Sequence, residues 1–275
     1  MTFDTIERSN YDGRPLRLYE FSIGTLYERY ASSEENVTLP ATPSPHVYKA
    51  IPISDSGFVH SGDGQSNETT ITLPSSAPIA QLFNTVPPSE ELWIAIREMH
   101  YGDTEAPIVW VGTVSSSRQT GLAVTEFTCQ LLTASFERNG LRLGWGRQCP
   151  HALYDRNCRV NKASFATAIM VESLTGNIVV SAALDSFPVG YFNNGFYEFS
   201  MIPGVMERRA IELHYGGSFL VLGTTEGLSV GGYILVYPGC ARTTVECINK
   251  FNNLSNYGGI PHLPGKSPFS GDPIF

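Results

Sequence analysis

The chain has 275 residues, of which 42% are hydrophobic and only 16% are charged, and its net charge at pH 7 is −8. This length allows two domains or one large one, and the acidic balance argues against nucleic-acid binding, which needs a basic face. No apolar run approaches the ~20 residues of a membrane-spanning helix, so we expect no membrane span.

Alternating and β-branched runs in the first half of the chain predict β-strands separated by turn clusters. The predicted strands are 17–23, 68–73, 92–99, 107–116 and 122–132. One helical turn is expected at 80–84, and no segment has the period of a long amphipathic helix. We therefore predict an all-β, mainly antiparallel fold. Its first domain, residues 1–140, is expected to be a β-barrel or sandwich, or two small barrels.

Residues 141–275 are predicted to form a second, β-rich domain with an irregular C-terminal tail. The junction at 139–150 is punctuated by Gly and Pro and contains Trp145, which we expect to be exposed. The predicted strands are 164–175, 177–184, 197–202, 208–217, 218–223 and 233–239. The tail is rich in aromatic residues and proline, so we expect it to wrap over a surface or a neighbour.

Four cysteines in two short pairs lie at the two ends of this second domain. Cys149 and Cys158 lie in CPHALYDRNC, and Cys240 and Cys247 lie in GCARTTVEC. This spacing lets a folded domain gather four thiolates around one centre, which suits zinc or an iron–sulfur cluster. The eight and six intervening residues are longer than in a usual zinc knuckle, which favours a cluster. Disulfides and buried core cysteines remain alternatives.

Neighbouring polar residues have open roles. His151 follows Cys149 by two residues and is a candidate ligand, a candidate hydrogen-bond donor to a cluster sulfur, or an ordinary loop histidine. His262 in GGIPHLPG is equally open. Asp155 and Arg156 are expected to fix the loop through hydrogen bonds.

A search for catalytic motifs finds no G-x-S-x-G elbow, H-E-x-x-H pair or phosphate-binding loop. Cys149 with His151 is a candidate nucleophile pair, although residues so close in sequence rarely reach the required geometry. Two other combinations are expected to lie at strand ends and turns: His60 with Asp63, and Glu98 with His100. We therefore predict that the chain is not an enzyme.

The C-terminal stretch PGCARTTVECINKFNNLSNYGGIPHLPG (238–265) resembles the end of a family of tailed-phage tail-tip proteins. Members typically end in the pattern GC…C..KF.N..N(F/Y)GG.PH.PG, and they include the lambda minor tail protein L and the hub protein of gene transfer agents. CPHALYDRNCRV is similar to the family signature C.H.LYD..C. RLYEFSIGTLYERYASSEENVTL and VYKAIPIS are similar to its opening β unit.

The resemblance implies a structural virion protein of the tail tip, a distal hub of the baseplate that is assembled in the host cytoplasm. It implies a structural [4Fe-4S] cluster bound by Cys149, Cys158, Cys240 and Cys247, and it leaves Cys129 as a core thiol. The implied partners are the distal tail ring and the central, receptor-binding spike, with the chain as a homotrimer.

Two other functions stay open beside this one: a zinc-stapled β-rich binding module, and an enzyme, either a Cys–His cell-wall hydrolase or an iron–sulfur redox enzyme. The tail aromatics have two expected roles, contact with neighbouring chains or packing over the cluster. These aromatics are Phe251, Tyr257, Phe269 and Phe275.

Overall fold

The structure is a computed structural model that describes residues 3–9, 13–41, 44–58, 68–137, 140 and 144–263. The chain divides into two compact units. The first comprises Met1–Arg138 and Ile202–Glu207, and the second comprises Asn139–Met201 and Arg208–Phe275. The domain prediction, with its boundary after residue 140, did not foresee that Ile202–Glu207 belongs to the first unit.

Strands dominate both units, and nearly all strand pairs are antiparallel, which confirms the all-β prediction. The strands are β1 (Pro15–Ile23), β2 (Leu26–Ala31), β3 (Val37–Leu39), β4 (His46–Ala50), β5 (Ser54–Asp55), β6 (Glu68–Pro74), β7 (Trp93–His100), β8 (Ile108–Gln119), β9 (Val124–Leu131), β10 (Thr167–Met170), β11 (Ser173–Thr175), β12 (Ile178–Val180), β13 (Phe196–Ile202), β14 (Val205–Tyr215), β15 (Ser218–Val221) and β16 (Tyr233–Tyr237).

Helical structure is confined to short pieces. The α-helices are α1 (Phe3–Glu7), α2 (Pro78–Gln81) and α3 (Thr244–Asn249), and the 3-10 helices are Leu132–Glu137, Lys162–Phe165, Ala182–Ser186 and Leu254–Asn256. Within the described residues, no helix has the length and apolar character needed to cross a membrane.

The first unit contains a nine-stranded sheet in the order β3-β4-β2-β1-β7-β8-β9-β6-β5. β2 and β4 pair in parallel, with Tyr30 opposite Lys49. β4 and β5 lie toward opposite ends of this order, yet only residues 51–53 separate them in sequence. The sheet therefore curls until its ends approach each other, as in a barrel.

Both faces of strand β1 are covered. Tyr19, Phe21 and Ile23 point into the main core of the first unit, together with residues of the other long strands. Leu16 and Leu18, on the opposite face, belong to a second small core that includes Leu39, Tyr48 and Met99. The period-2 alternation of a strand explains why one segment contributes to two cores. The described strands of this unit thus form one sheet whose two faces are both covered along β1.

The second unit contains a seven-stranded sheet in the order β10-β16-β13-β14-β15-β12-β11. β10 and β11 stand at opposite ends of this order but are separated only by Val171 and Glu172. The amide of Val171 donates to Gly232 beside β16 at 2.9 Å, and the amide of Glu172 donates to Val180 of β12 at 2.9 Å. One bent segment therefore joins both ends of the sheet and closes it around its core.

The bend corrects two sequence expectations. A single strand was predicted at 164–175, but Lys162–Phe165 is a 3-10 turn and the rest is divided between β10 and β11 because Val171, fully buried, turns into the core. The strand predicted at 177–184 ends at Val180, where the chain enters the 3-10 helix Ala182–Ser186 and buries Leu184.

Candidate metal centre

The first cysteine pair lies in a loop that precedes β10 and is shaped by Asp155. The Asp155 carboxylate accepts hydrogen bonds from the amides of Cys158 at 2.5 Å and Asn157 at 2.8 Å. These bonds, that of Cys158 first, lower the pKa of Asp155, because they favour its charged form. The expected loop-fixing role of Asp155 is confirmed, and the turn it makes sets the direction of the Cys158 side chain.

Cys240 lies just beyond the end of β16. Gly239 passes so close to Asn193 and Asn194 that a Cβ at this position would overlap their backbone atoms. After Cys240 the chain turns at Arg242, whose φ is +61°, and the Arg242 amide donates to Cys240 Sγ at 3.3 Å. The glycine and the turn together fix where this sulfur lies.

Cys247 is buried on the inner side of helix α3, whose start is well capped. The Thr243 hydroxyl accepts from the amide of Glu246 at 3.3 Å, and the Glu246 carboxylate accepts from the amide of Ala241. This is close to a capping box, in which side chains satisfy the free amides of the first helical turn. At the other end, the ammonium group of Lys250 donates to the carbonyls of Tyr191 at 2.6 Å and Gly239 at 2.8 Å.

The four cysteines of the two pairs line one cavity of about 180 Å³. Cys158 and Cys247 are buried, Cys149 and Cys240 are half-buried, and all of them are free thiols. The segments that carry them are bonded to one another, since the amide of Cys149 donates to the Arg242 carbonyl at 3.1 Å. The structure therefore brings together the residues predicted as ligands, while metal binding itself stays a prediction.

Nitrogen donors point at three of the four sulfurs. Cys149 Sγ accepts from the amide of Gly258 at 3.5 Å, Cys240 Sγ accepts from Arg242, and Cys158 Sγ lies 3.8 Å from Asn253 Nδ2. A thiolate is a much better acceptor than a thiol, and hydrogen bonds to sulfur are a usual feature around iron–sulfur clusters. The surroundings of these sulfurs are thus suited to the metal-bound, deprotonated form.

Without a cation, the sulfurs hinder each other's ionisation. Burial, and then the neighbouring cysteines, raise the pKa of Cys247, and burial is also the main cause of the raised pKa of Cys240. A bound metal reverses this effect because its charge stabilises the thiolates. Cys247 Sγ lies 3.2 Å from the carbonyl of Asn253, to which a protonated thiol can donate.

Zinc and an iron–sulfur cluster would place four sulfurs differently. Four sulfurs around one zinc ion, with bonds of ~2.3 Å, would be ~3.8 Å apart, whereas a cluster distributes its thiolates over several iron atoms. In the parts of the chain that the structure describes, no three His, Cys, Asp or Glu side chains are grouped closely enough to hold a metal ion. The choice between zinc and a cluster therefore stays a prediction.

His151 also lines the cavity. Its ring lies directly against the backbone of Gly258, where a Cβ would overlap the ring. Its Nδ1 is buried and has no hydrogen-bond partner among the described residues. An unpaired buried nitrogen beside four sulfurs fits a site whose remaining partner is a bound group.

Of the other predicted polar combinations, the described pair Glu98 and His100 does not form a joint site. Glu98 pairs with Arg17 at 3.0 Å, whereas His100 bonds to Glu7 at 2.9 Å, so Glu98 and His100 have separate partners. His60 and Asp63 lie outside the described residues. His262 is exposed.

Cys129 lies in β9 of the first unit, whereas the four other cysteines belong to the second unit. Its side chain is fully buried in the main core of the first unit, and burial raises its pKa to about 12. The prediction of a core thiol is confirmed.

The tail aromatics have different outcomes. Phe251 is buried against Cys158 and Val160, so it packs beside the site. The Tyr257 hydroxyl lies 2.8 Å from the Arg147 carbonyl and 3.0 Å from that of Arg242, where it links the two cysteine segments. Phe269 and Phe275 lie outside the described residues. Trp145 is 86% exposed, as expected.

Several residues that shape the site were not assigned a role from sequence. Asn253, Lys250 and Tyr154 bond to the cysteine segments, and the signal in the sequence was their place within the C-terminal and CPHALYDRNC patterns. Backbone geometry gives a second signal, since non-glycine residues with positive φ concentrate at functional sites. Among the described residues, they all lie in the second unit: Tyr154, Arg159, Asn194, Arg242 and Asn252.

A comparison with solved structures shows which fold the chain has. Over 99% of its length the chain superposes on a chain from a structure titled "Virion of native gene transfer agent (GTA) particle". The superposition covers 95% of that chain, with a TM-score of 0.82 and 15% sequence identity. The two chains therefore share a fold.

Sequence comparison then gives two partial matches. Residues 190–267 match the family described as "Phage conserved hypothetical protein BR0599". A segment of 141 residues, 47% of the chain, is 28% identical to an uncharacterized protein of Xylella fastidiosa (strain 9a5c). The matched segment spans only 28% of the length of that relative. The family match includes Cys240 and Cys247 but not the first cysteine pair.

Proposed function

We propose that the chain is a structural protein of a phage or gene-transfer-agent particle and that it lies at the tail tip, where it joins the distal tail ring to the central spike. The proposal is supported by the fold shared with a chain of a gene-transfer-agent virion and by the phage family matched at residues 190–267. The low charged fraction of 16% suits a surface that other chains cover. We further propose that the chain is a homotrimer, that it is assembled in the host cytoplasm and that it has no catalytic role.

We also propose that Cys149, Cys158, Cys240 and Cys247 bind a structural [4Fe-4S] cluster. The observation that carries this proposal is the single cavity lined by all four sulfurs, with N–H donors directed at three of them. When bound, the cluster would supply covalent cross-links between the four thiolates. The surrounding residues hold the sulfurs in place, and Phe251 screens one side from water.

The expected effect of these cross-links is on stability. A link between Cys149 and Cys247 closes a loop that holds most of the second unit. By analogy with a disulfide, closing a loop of roughly a hundred residues stabilises the fold by about 4–5 kcal/mol, through the lost entropy of the unfolded chain. Because the ligand set is assembled only in the folded chain, the binding free energy adds to folding.

The test is metal and sulfide analysis of the full chain purified without oxygen. We expect about four iron and four acid-labile sulfide per chain, with the visible absorption of an iron–sulfur cluster. Cys149→Ser should lose most of the iron and lower the thermal stability. Cys129→Ala is the matched control, since that thiol lies in the other unit, and it should keep the full iron content.

Three outcomes would contradict the proposal. About one zinc per chain and no iron would favour a zinc-stapled binding module. A Cys149→Ser variant that stays folded but loses cell-wall hydrolysis or redox turnover found in the wild type would establish an enzyme. Gold-labelled antibodies against the chain should mark the distal end of tails in purified particles, and particles without the label would overturn the virion role.

A further inference from the structure

Asn253 connects the two halves of the cysteine site. It is 9% exposed, and its Nδ2 donates to the Cys158 carbonyl at 2.6 Å and lies 3.8 Å from Cys158 Sγ. Its backbone is bonded to Cys247 on the other side, since its amide donates to the Cys247 carbonyl at 2.9 Å and its carbonyl faces Cys247 Sγ. One residue therefore contacts a cysteine of each pair.

The orientation of the Asn253 amide is fixed by a second asparagine. Asn256 Nδ2 donates to Asn253 Oδ1 at 2.6 Å, so this oxygen has a donor and the NH2 group is left to face Cys158. Flipping the amide would place its NH2 against the NH2 of Asn256 and its oxygen against the Cys158 carbonyl. Donors and acceptors thus match in only one orientation.

We infer that Asn253 is a positioning residue of the metal centre. It fixes the position of Cys158 relative to Cys247 and donates an N–H to the Cys158 sulfur. Asn256 holds the Asn253 amide in the orientation that this donation needs. The inference rests on the proposed cluster and deepens it. Hydrogen bonds to ligand sulfurs stabilise the more negative, reduced state, and they are among the factors that set cluster potentials. Loss of this donor should therefore lower the reduction potential.

The side-chain role can be separated from the role of the backbone. Leucine has nearly the shape of asparagine, and Asn253→Leu keeps the backbone bond to Cys247 while it removes the side-chain bonds to the Cys158 carbonyl, the Cys158 sulfur and Asn256. A buried polar group left without its partner destabilises a fold, and here the Cys158 carbonyl loses its donor. Asn256→Leu instead leaves Asn253 intact and removes only the bond that orients it.

The experiment compares the full-length wild type, Asn253→Leu and Asn256→Leu, each loaded with cluster under anaerobic conditions. Asn249→Leu is the matched control, since Asn249 is exposed at the end of α3. We expect a lower reduction potential and a several-fold faster loss of the cluster in air for Asn253→Leu. Asn256→Leu should give a smaller change of the same sign, and Asn249→Leu should equal the wild type.

The outcomes separate this inference from the proposed function. A wild-type chain that takes up no cluster would overturn both. The wild type could take up the cluster and have the same reduction potential and cluster lifetime as Asn253→Leu and Asn256→Leu. This result would overturn only the role of Asn253. If Asn253→Leu does not fold, the potential of Asn256→Leu decides, since an unchanged value would contradict the inference.

Discussion

Gly239 shows how a single residue fixes the geometry of the site. A side chain there would meet backbone atoms of Asn193 and Asn194, and no rotamer change can move these away. Gly239 directly precedes Cys240, so the backbone position of Gly239 determines that of Cys240. The absence of a side chain at Gly239 is therefore a condition for placing one of the four sulfurs.

We expect Gly239→Ala to lower the free energy of unfolding by roughly 1–3 kcal/mol, the usual range for overpacking, and to lower the iron content. Denaturant unfolding of the anaerobic protein measures the first effect. Gly144→Ala is the control, since a Cβ at Gly144 meets no described atom within 4 Å. Equal stability of the two variants would contradict the close packing at Gly239.

At the residue scale, the sequence was informative where chemistry restricts the choice of residue. Four thiols were predicted as one group because few side chains bind iron or zinc. The structure places all of them around one cavity: Cys149, Cys158, Cys240 and Cys247. Asn253 was not predicted. An amide side chain occurs in many loops, and its role follows only from a contact between residues 95 positions apart.

Helix α3 shows how a short element is held in place. With six residues it is too short to be stable alone, and its position depends on Lys250 at its C-terminal end. Burial lowers the pKa of Lys250, and its ammonium group donates to the carbonyls of Tyr191 and Gly239. This one side chain thus ties α3, and with it Cys247, to the segment that carries Cys240.

We expect Lys250→Met to destabilise the second unit by about 1–3 kcal/mol, since two carbonyls lose a charged donor while the apolar stem is kept. The midpoint of thermal unfolding measures the effect. Lys49→Met removes an ion pair with Glu28 whose lysine side chain is 59% exposed, and it should change stability by less than about 1 kcal/mol. An equal loss in both variants would show that Lys250 does not hold α3.

At the element scale, long alternating strands were predictable and short or bent ones were not. The strand predicted at 17–23 is β1, and that predicted at 92–99 is β7 with a shift of one residue at each end. β3 was missed because three residues give no period to detect. α3 was missed because its sequence, TVECIN, contains three β-branched residues and one buried position, and caps and tertiary bonds outweigh this propensity.

The whole molecule consists of two units, and the four predicted ligands all belong to the second. Each unit has its own buried core. Cross-links among the four thiolates should therefore stabilise the second unit without a comparable effect on the first.

Removal of iron with a chelator tests this division. We expect faster amide hydrogen exchange in residues 144–161 and 238–263 after chelation, and unchanged exchange in β1 and β7. Exchange measured by mass spectrometry, with a mock-treated sample as the control, gives both results in one experiment. A similar increase in β1 would mean that the metal centre stabilises the whole chain as one cooperative unit.

The bent segment β10–β11 has a consequence for how copies of this chain can meet. This segment pairs with β16 through one half and with β12 through the other, and its halves β10 and β11, of four and three residues, are the two end strands of the seven-stranded sheet. Aggregation by addition of strands from other molecules needs a long, flat and exposed edge strand. Copies of this chain would then associate through side-chain surfaces, which specify a partner and an orientation.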